Sequence, residues 1–261
     1  SHPRDVKLHA GEACSPNTGM ENFIPFEPVT MTSDVKFREA LFWAGWPADV
    51  MKTDWSIAYK HVSVCSEDHR LQLVEFGGRL FVEKCLTFGG MNSPSYFNLP
   101  AKTLIEFAEI KTGMDSRLNV QQLDDNCSAG PADSPILKRY QNCYREIARA
   151  IGVQLAPEDD PSKAFPPSKK GEILGIIYDG HNWTWEMPRD KGLRLLVSVG
   201  NALKTGVITN GDAQALAGRL NHYSNMVNGR FNRCLISHLC DEEKDDSVVL
   251  EPNTETKICM V

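Results

Sequence analysis

Met51-Lys52-Thr53-Asp54-Trp55-Ser56-Ile57-Ala58-Tyr59 reads as a short strand rising out of Val50-Met51, with one carboxylate, Asp54, at its end and an aromatic ring, Tyr59, five residues later. A lone carboxylate does little chemistry, so the reading of this stretch turns on whether the chain supplies partners. It does so after Leu118-Asn119-Val120-Gln121-Gln122-Leu123, an extended and partly apolar run. Asp124-Asp125-Asn126 follow, and then Cys127-Ser128-Ala129-Gly130. Asp-Asp-Asn between two extended runs has the turn chemistry of a tight hairpin, because Asx residues tolerate its special backbone angles. If the strand of Asp54 lies beside that hairpin, three acids converge. Two carboxylates about 4 Å apart repel by roughly 4 kcal/mol at an effective dielectric near 20, which a fold tolerates best with a cation present. Hard oxygen donors suit Mg2+, with Mn2+ as an alternative, and two such ions clamp the attacking and leaving oxygens of a phosphoryl transfer.

Composition allows this chemistry. The 261 residues are 41% hydrophobic and 24% charged, enough for one large domain or two small ones. No apolar run reaches the ~18 residues of a membrane span, and no basic-then-apolar signal opens the chain, so an intracellular protein, nuclear or cytoplasmic, is expected. The eight cysteines form no Cys-x-x-Cys pair, which leaves zinc ribbons and redox motifs unsupported. Net charge is −6, but residues 241–261 hold seven acids and two lysines, leaving −1 for the rest. Between Arg189 and Arg233 seven Lys/Arg stand against two acids. A basic segment beside an acidic centre fits a polyanionic partner, and equally a solvated helical face.

Taken in order, residues 1–30 carry scattered Gly and Pro and read as irregular. Ser33 to Trp43 predicts a helix with Val35, Leu41 and Phe42 inward. Leu71–Phe76, Gly77-Gly78 and Arg79–Lys84 predict a hairpin. Thr87-Phe88-Gly89-Gly90 feeds a helix capped by Ser93, with Pro94 at its first position and Tyr96, Phe97, Leu104, Ile105 and Ala108 as its apolar surface. A strongly periodic helix from Ser134-Pro135 places Ile136, Leu137, Tyr140, Tyr144, Ile147, Ala148 and Ile151 on one face and stops at Gly152. Lys163–Gly171 reads as a Pro/Lys loop, and Glu172–Tyr178 with Trp183–Glu186 as a hairpin. Pro188 opens a helix with Leu193, Leu196, Val197 and Gly200 inward. Thr209 and Asp212 cap another, in which Ala213, Leu216, Ala217 and Leu220 repeat at helical spacing. A third helix is expected over Arg230–Leu239, and a disordered acidic tail over 241–261.

The order of these units resembles the successive palm motifs of a reverse transcriptase. They are the strand with Asp54 and Tyr59, the Phe88-Gly89 … Ser93-Pro94 loop and helix, the Leu123-Asp124-Asp125 hairpin, the helix to Gly152, and Leu174-Gly175 on a hairpin. Pro188-x-x-Lys191, Leu216-Ala217-Gly218-Arg219-Leu220 and Gly229-Arg230-Phe231 are similar to the segment after the palm in DIRS-type (tyrosine-recombinase) retrotransposon polymerases. The resemblance covers roughly residues 16–240.

It implies an α+β fold: an antiparallel palm sheet with helices on one face over 49–187, preceded by a partial fingers lead-in over 1–48. A small all-helical thumb-like domain follows over 188–240, and the acidic tail over 241–261. The implied activity is RNA-directed DNA polymerisation, two-metal transfer of a nucleotide from dNTP to the primer 3′-hydroxyl on an RNA or DNA template. Asp54 and Asp124 would hold the metals with Asp125 beside them, and Tyr59 would exclude a ribose 2′-hydroxyl. Phe88, Gly89, Ser93 and Pro94 would shape the nucleotide and template pocket, and Lys163 matches the basic residue near the pyrophosphate. The chain departs from the family at Gln122, where a Tyr is usual, and at Thr87, where a Pro is usual. The basic fingers segment that the resemblance implies is expected to be absent or reduced to the neighbourhood of Arg4–Lys7, so the isolated chain is expected to extend primers poorly. The rival reading is a palm repurposed to bind nucleic acid or a protein without catalysis.

Overall fold

The computed structural model describes Val29, residues 34–227 and residues 247–249. The first helix, α1 (Asp34–Ala44), buries Phe37, Ala40, Leu41 and Ala44. Val35 and Phe42, expected to face inward, are exposed, because they lie across the 3.6-residue turn from that stripe. Next come β1 (Ala48–Asp54), the exposed hairpin strands β2 (Leu73–Phe76) and β3 (Arg79–Val82), and α2 (Ser93–Thr112). Gly77 and Gly78 close the hairpin at φ 59° and 72°, angles that favour glycine. Helix α2 buries Phe97, Leu104, Ile105 and Ala108 as expected, with Ala101 added and Tyr96 exposed.

Strands β4 (Asn119–Gln122) and β5 (Asp125–Pro131), helix α3 (Ile136–Ala150) and β6 (Phe165–Ser168) complete a four-stranded sheet in the order β4-β5-β1-β6. β1 and β5 pair antiparallel from Ala48↔Pro131 to Asp54↔Asp125. Directly opposed residues share a face. Met51, Thr53, Asn126, Ser128 and Gly130 therefore lie on one face and Lys52, Asp54, Asp125 and Cys127 on the other. The first face is covered by α3: Asn126 Nδ2 donates to the Tyr140 hydroxyl at 2.8 Å, and Leu137 packs so closely on Gly130 that a Cβ there would lie 2.8 Å from it. In α3 the buried side chains are Leu137, Tyr140, Gln141, Cys143, Tyr144 and Ala148, while Ile151 lies past the helix end and is exposed.

The expected loop from Lys163 is partly strand. β6 pairs with β1 at Lys52↔Phe165 and Val50↔Ser168, and Pro166-Pro167, which cannot donate, are tolerated because β6 is an edge. Gln141 Nε2 donates to the Phe165 carbonyl at 3.3 Å and ties that edge to α3. The expected continuous strand over 172–178 is broken by Leu174-Gly175, at φ 51° and 81°. β7 (Lys170–Ile173), β8 (Ile176–Asp179) and β9 (Thr184–Glu186) form a three-stranded sheet in that order.

Contacts divide the described chain into two units, one reaching Ile173 and including Asp179–Trp183, the other Leu174–Tyr178 and the chain from Thr184. The second holds α4 (Arg189–Thr205), β10 (Val207–Thr209), α5 (Asn210–Val227) and β11 (Ser247–Val249). Thr209 Oγ accepts from the Asp212 backbone N–H at 3.2 Å and donates to the Asp212 carboxylate at 2.7 Å. This is the expected cap, and Ala213, Leu216, Ala217 and Leu220 form the core with Ala202 and Ile208. On α4 the packed residues are Leu195, Val199 and Leu203; Leu193, Leu196, Val197 and Gly200, expected inward, are exposed. From Arg189 onward the described residues of this unit are mostly helical, with the β10–β11 ladder between them, which takes Ser247–Val249 out of the expected disordered tail. The lead-in over 1–28, the helix over Arg230–Leu239 and the rest of the tail lie outside the described residues.

A Cβ on Gly180 would lie 2.3 Å from the Ala48 carbonyl oxygen, and on Gly200, inside α4, would meet nothing within 4 Å. Gly180→Ala therefore destabilises by about 1–3 kcal/mol, whereas Gly200→Ala stabilises by about 0.5–1 kcal/mol. Urea unfolding of both variants checks the opposite signs; equal shifts would break the assignment of the Ala48–Gly180 contact.

Candidate active site

Asp54 ends β1 because the backbone is fastened on both sides there. The Trp55 N–H donates to the Asp124 carbonyl at 3.2 Å, and the Asp54 carbonyl accepts from Ala156 N–H at 2.8 Å. Trp55 is buried, and its indole N–H donates to the Tyr144 hydroxyl at 2.7 Å. Across the ladder stands Asp125, and the two-residue turn between β4 and β5 is Leu123-Asp124. The turn is thus one residue earlier than Asp-Asp-Asn chemistry suggested. Its first residue, Leu123, has φ 53°, a costly conformation for a branched residue and of the kind stored at functional sites.

Two lysines meet these acids. Lys52, two residues before Asp54 on the same face, places Nζ 2.9 Å from Asp125 Oδ1, with side chains 9% and 24% exposed. Lys163 places Nζ 3.1 Å from Asp54 Oδ2, with side chains 58% and 4% exposed. Burial raises the Asp54 carboxyl above its ordinary value; the hydrogen bond from Lys163 opposes that and the Asp125 charge adds to it. Asp124 is raised by burial and by the charges of Asp54 and Asp125. Lys163 is raised by its hydrogen bond to Asp54. For Lys52 burial pulls downward most strongly, yet the charge and hydrogen bond of Asp125, with smaller contributions, leave it raised.

Tyr59 follows in a short 3-10 turn, Ala58–His61. Its ring lies 5.0 Å from Phe88 and 5.5 Å from Phe97, centroid to centroid. Burial, then the Asp124 charge, raises its phenol. Phe88 is exposed and Gly89 takes φ 82°. Ser93 is the first residue of α2 rather than its cap, and Pro94 follows at the second position. The cap position belongs to Asn92, which is buried with both polar side-chain atoms unpartnered. Gln122 stands opposite Asp125 on β4.

No known family pattern and no curated protein sequence matches this chain. Its fold matches solved structures of a foamy viral protease-reverse transcriptase. The complex with dsDNA gives a TM-score of 0.64 at 12% identity, covering 93% of this chain and 46% of that one. A dRH form with ds DNA gives 0.64 at 12%, covering 98% and 41%. The complex with an RNA/DNA hybrid gives 0.63 at 13%, covering 90% and 29%. The fold is reverse-transcriptase-like. This chain spans less than half the length of those chains.

The reverse-transcriptase-like fold thus brings Asp54, Asp124, Asp125, Lys163 and Gln122 to one sheet end, with Tyr59 and Phe88 alongside. Among the described residues, no three His, Cys, Asp or Glu side chains form a set able to hold a metal ion. Magnesium does not require one, since it is bound through one or two carboxylates plus substrate oxygens. Asp54 and Asp124 fit that donor chemistry: both are carboxylates raised above their ordinary value, and an ammonium stands where Asp54 would meet a cation. Asp125, expected beside them as a further ligand, pairs with Lys52 in this structure. Lys52 escaped the sequence reading, although its place two residues before Asp54 on one strand was the available signal.

Because Asp54 and Asp124 are raised above the ordinary aspartate value of 3.8, the stability they contribute is full below that value and is lost as pH rises through their folded-state values. Asp54→Asn therefore raises Tm at pH 7, and the difference from the unmodified chain closes as pH falls toward 3.8. Calorimetry across that pH range checks it; a lower Tm for the variant at pH 7 contradicts it. Lys52→Met leaves Asp125 unpaired and destabilises by about 3 kcal/mol, read from its urea midpoint.

Proposed function

We propose that this chain is the polymerase part of an RNA-directed DNA polymerase, with residues around β1, β4 and β5 as its palm. The observation that carries the reading is the Asp54↔Asp125 cross-strand register with Asp124 at the adjoining turn, on a reverse-transcriptase-like fold. The similar solved structures hold DNA or an RNA/DNA hybrid, which supports a primer-template as partner here. The sequence resemblance adds a DIRS-type retroelement as the finer placement.

In this reading Asp54 and Asp124 hold divalent cations, Mg2+ or Mn2+, which when bound polarise the attacking 3′-hydroxyl and the transferred phosphoryl oxygens. The chain's own residues supply position. Fastening of the backbone at Asp54 and Trp55 fixes the two carboxylates, which matters because small displacements of a reacting group cost rate. Tyr59, buttressed by Phe97, presents its ring beside Asp124 as a steric filter against ribonucleotides. The Lys52–Asp125 pair favours a second reading, a nucleic-acid-binding module without catalysis, since it withdraws one acid from the set.

Primer extension with Mg2+ or Mn2+ separates the two. Asp54→Asn and Asp124→Asn each reduce incorporation by at least about 100-fold, on the scale of losing one preorganised electrostatic contact in the transition state, with folding retained; near-normal incorporation by both leaves the binding module. Tyr59→Val lowers the ratio of dNTP to rNTP incorporation efficiency, because the filter acts by clash. An unchanged ratio reduces Tyr59 to packing against Phe97.

A further inference from the structure

We propose that Lys163 is a displaceable counter-ion for Asp54: its ammonium occupies the carboxylate when no divalent cation is bound, and a cation entering against Asp54 pushes it out. This rests on the reading of Asp54 as a metal-binding carboxylate, and it concerns what that carboxylate does before the metal arrives.

The two lysines of the site differ in the way such a device requires. Lys52 issues from the central strand β1, its side chain is 9% exposed, and besides Asp125 it reaches the Ser162 carbonyl at 3.4 Å. Leaving would strand it in the protein interior. Lys163 issues from a surface turn and is 58% exposed while its partner Asp54 is 4% exposed. The backbone of that turn is fixed: the N–H groups of Lys163 and Ala164 both donate to the Asp160 carbonyl at 2.9 Å, and Ser162 is bonded through its N–H and hydroxyl to the Asp160 carboxylate at 3.1 and 2.6 Å. The turn therefore stays in place while the four-carbon stem of Lys163 swings toward water. A lysine is suited to this, being a strongly hydrated point charge on a flexible stem rather than a planar fork locked to its carboxylate.

A pair with one member largely in solvent is weakly held, so a doubly charged ion displaces the ammonium at a modest cost in affinity. Once released, the ammonium stands near the site's entrance, where a metal-bound polyanionic substrate would meet it. The lysine thus keeps a buried carboxylate from standing uncompensated in the metal-free chain, and it discourages adventitious cations from lodging there.

The test is Mn2+ binding to the full chain, followed by loss of the free-ion EPR signal, for the unmodified protein, Lys163→Met and Lys163→Gln, each with Asp54 intact and as Asp54→Asn. With Asp54 present, removing the lysine charge tightens Mn2+ binding by about two- to fivefold, the range expected for an ion pair whose cation lies mostly in solvent. With Asp54→Asn the same substitutions give no gain, or binding stays undetectable in both. Unchanged or weaker binding on losing Lys163 overturns the proposal. An equal gain in the Asp54→Asn background also overturns it, because the effect would then be the general field of one positive charge. Absence of Mn2+ binding in every variant removes the metal reading together with the counter-ion. Failure of primer extension with the binding pattern intact removes only the polymerase reading.

Discussion

Every feature of the site depends on the backbone ladder between β1 and β5. Seven cross-strand pairs run from Ala48↔Pro131 to Asp54↔Asp125, and a slip of one residue would turn Asp54 toward Tyr140 and the helix layer. Register is held by fit at the far end of the sheet. Gly130 admits Leu137, and the Ala48 carbonyl lies against Gly180, so bulk on either glycine collides with a neighbour already in place. At the near end the Trp55 indole bonds to Tyr144 and the Asn126 amide to Tyr140. These buried hydrogen bonds anchor the acids from behind, on the helix that covers the opposite face.

The charge arrangement on that face is unequal in a useful way. Three acids meet two lysines, and only one lysine is held in the interior. Asp125 and Lys52 satisfy one another, and removing either partner would leave a charge with nothing opposite it, which costs more than the pair contributes. Asp54 has its cation from the solvent side and Asp124 stands at the strained turn. Burial and mutual repulsion raise both Asp54 and Asp124 above the ordinary aspartate value, so their charged forms are disfavoured, and under the proposed function a divalent ion would relieve that.

Much of this was legible in the residues. Alternation around Gly77-Gly78, the Thr209–Asp212 cap with its i, i+3, i+4, i+7 core, and the two extended runs that deliver Asp54 and Asp124 rest on local rules, and the structure follows them. The failures came where a local signal had more than one physical reading. Val35, Phe42, Leu193, Leu196 and Val197 are apolar, but which apolar stripe of a helix is buried depends on the surface it meets. Pro166-Pro167 read as a loop because proline is barred from central strands; that the segment would lie on an edge is a matter of topology. Lys52–Asp125 joins two distant segments, and strand alternation alone shows that Lys52 shares the face of Asp54 without showing what it meets there.

Tyr59 shows how one ring joins the core to the face of the acids. Trp55 and Tyr59 both pack edge-on against Phe97, at 5.2 and 5.5 Å, so the segment after Asp54 is pinned to the first turns of α2 by a single buried ring. The other side of Tyr59 meets Phe88, which is exposed, and its phenol senses the Asp124 charge. A side chain that excludes a substrate by clash has to be stiff, because a ring able to move aside discriminates nothing. The contact with Phe97 supplies that stiffness from the core. Under the proposed function, packing and filtering by Tyr59 would be compatible, since burial of one edge against Phe97 would hold the other edge in place.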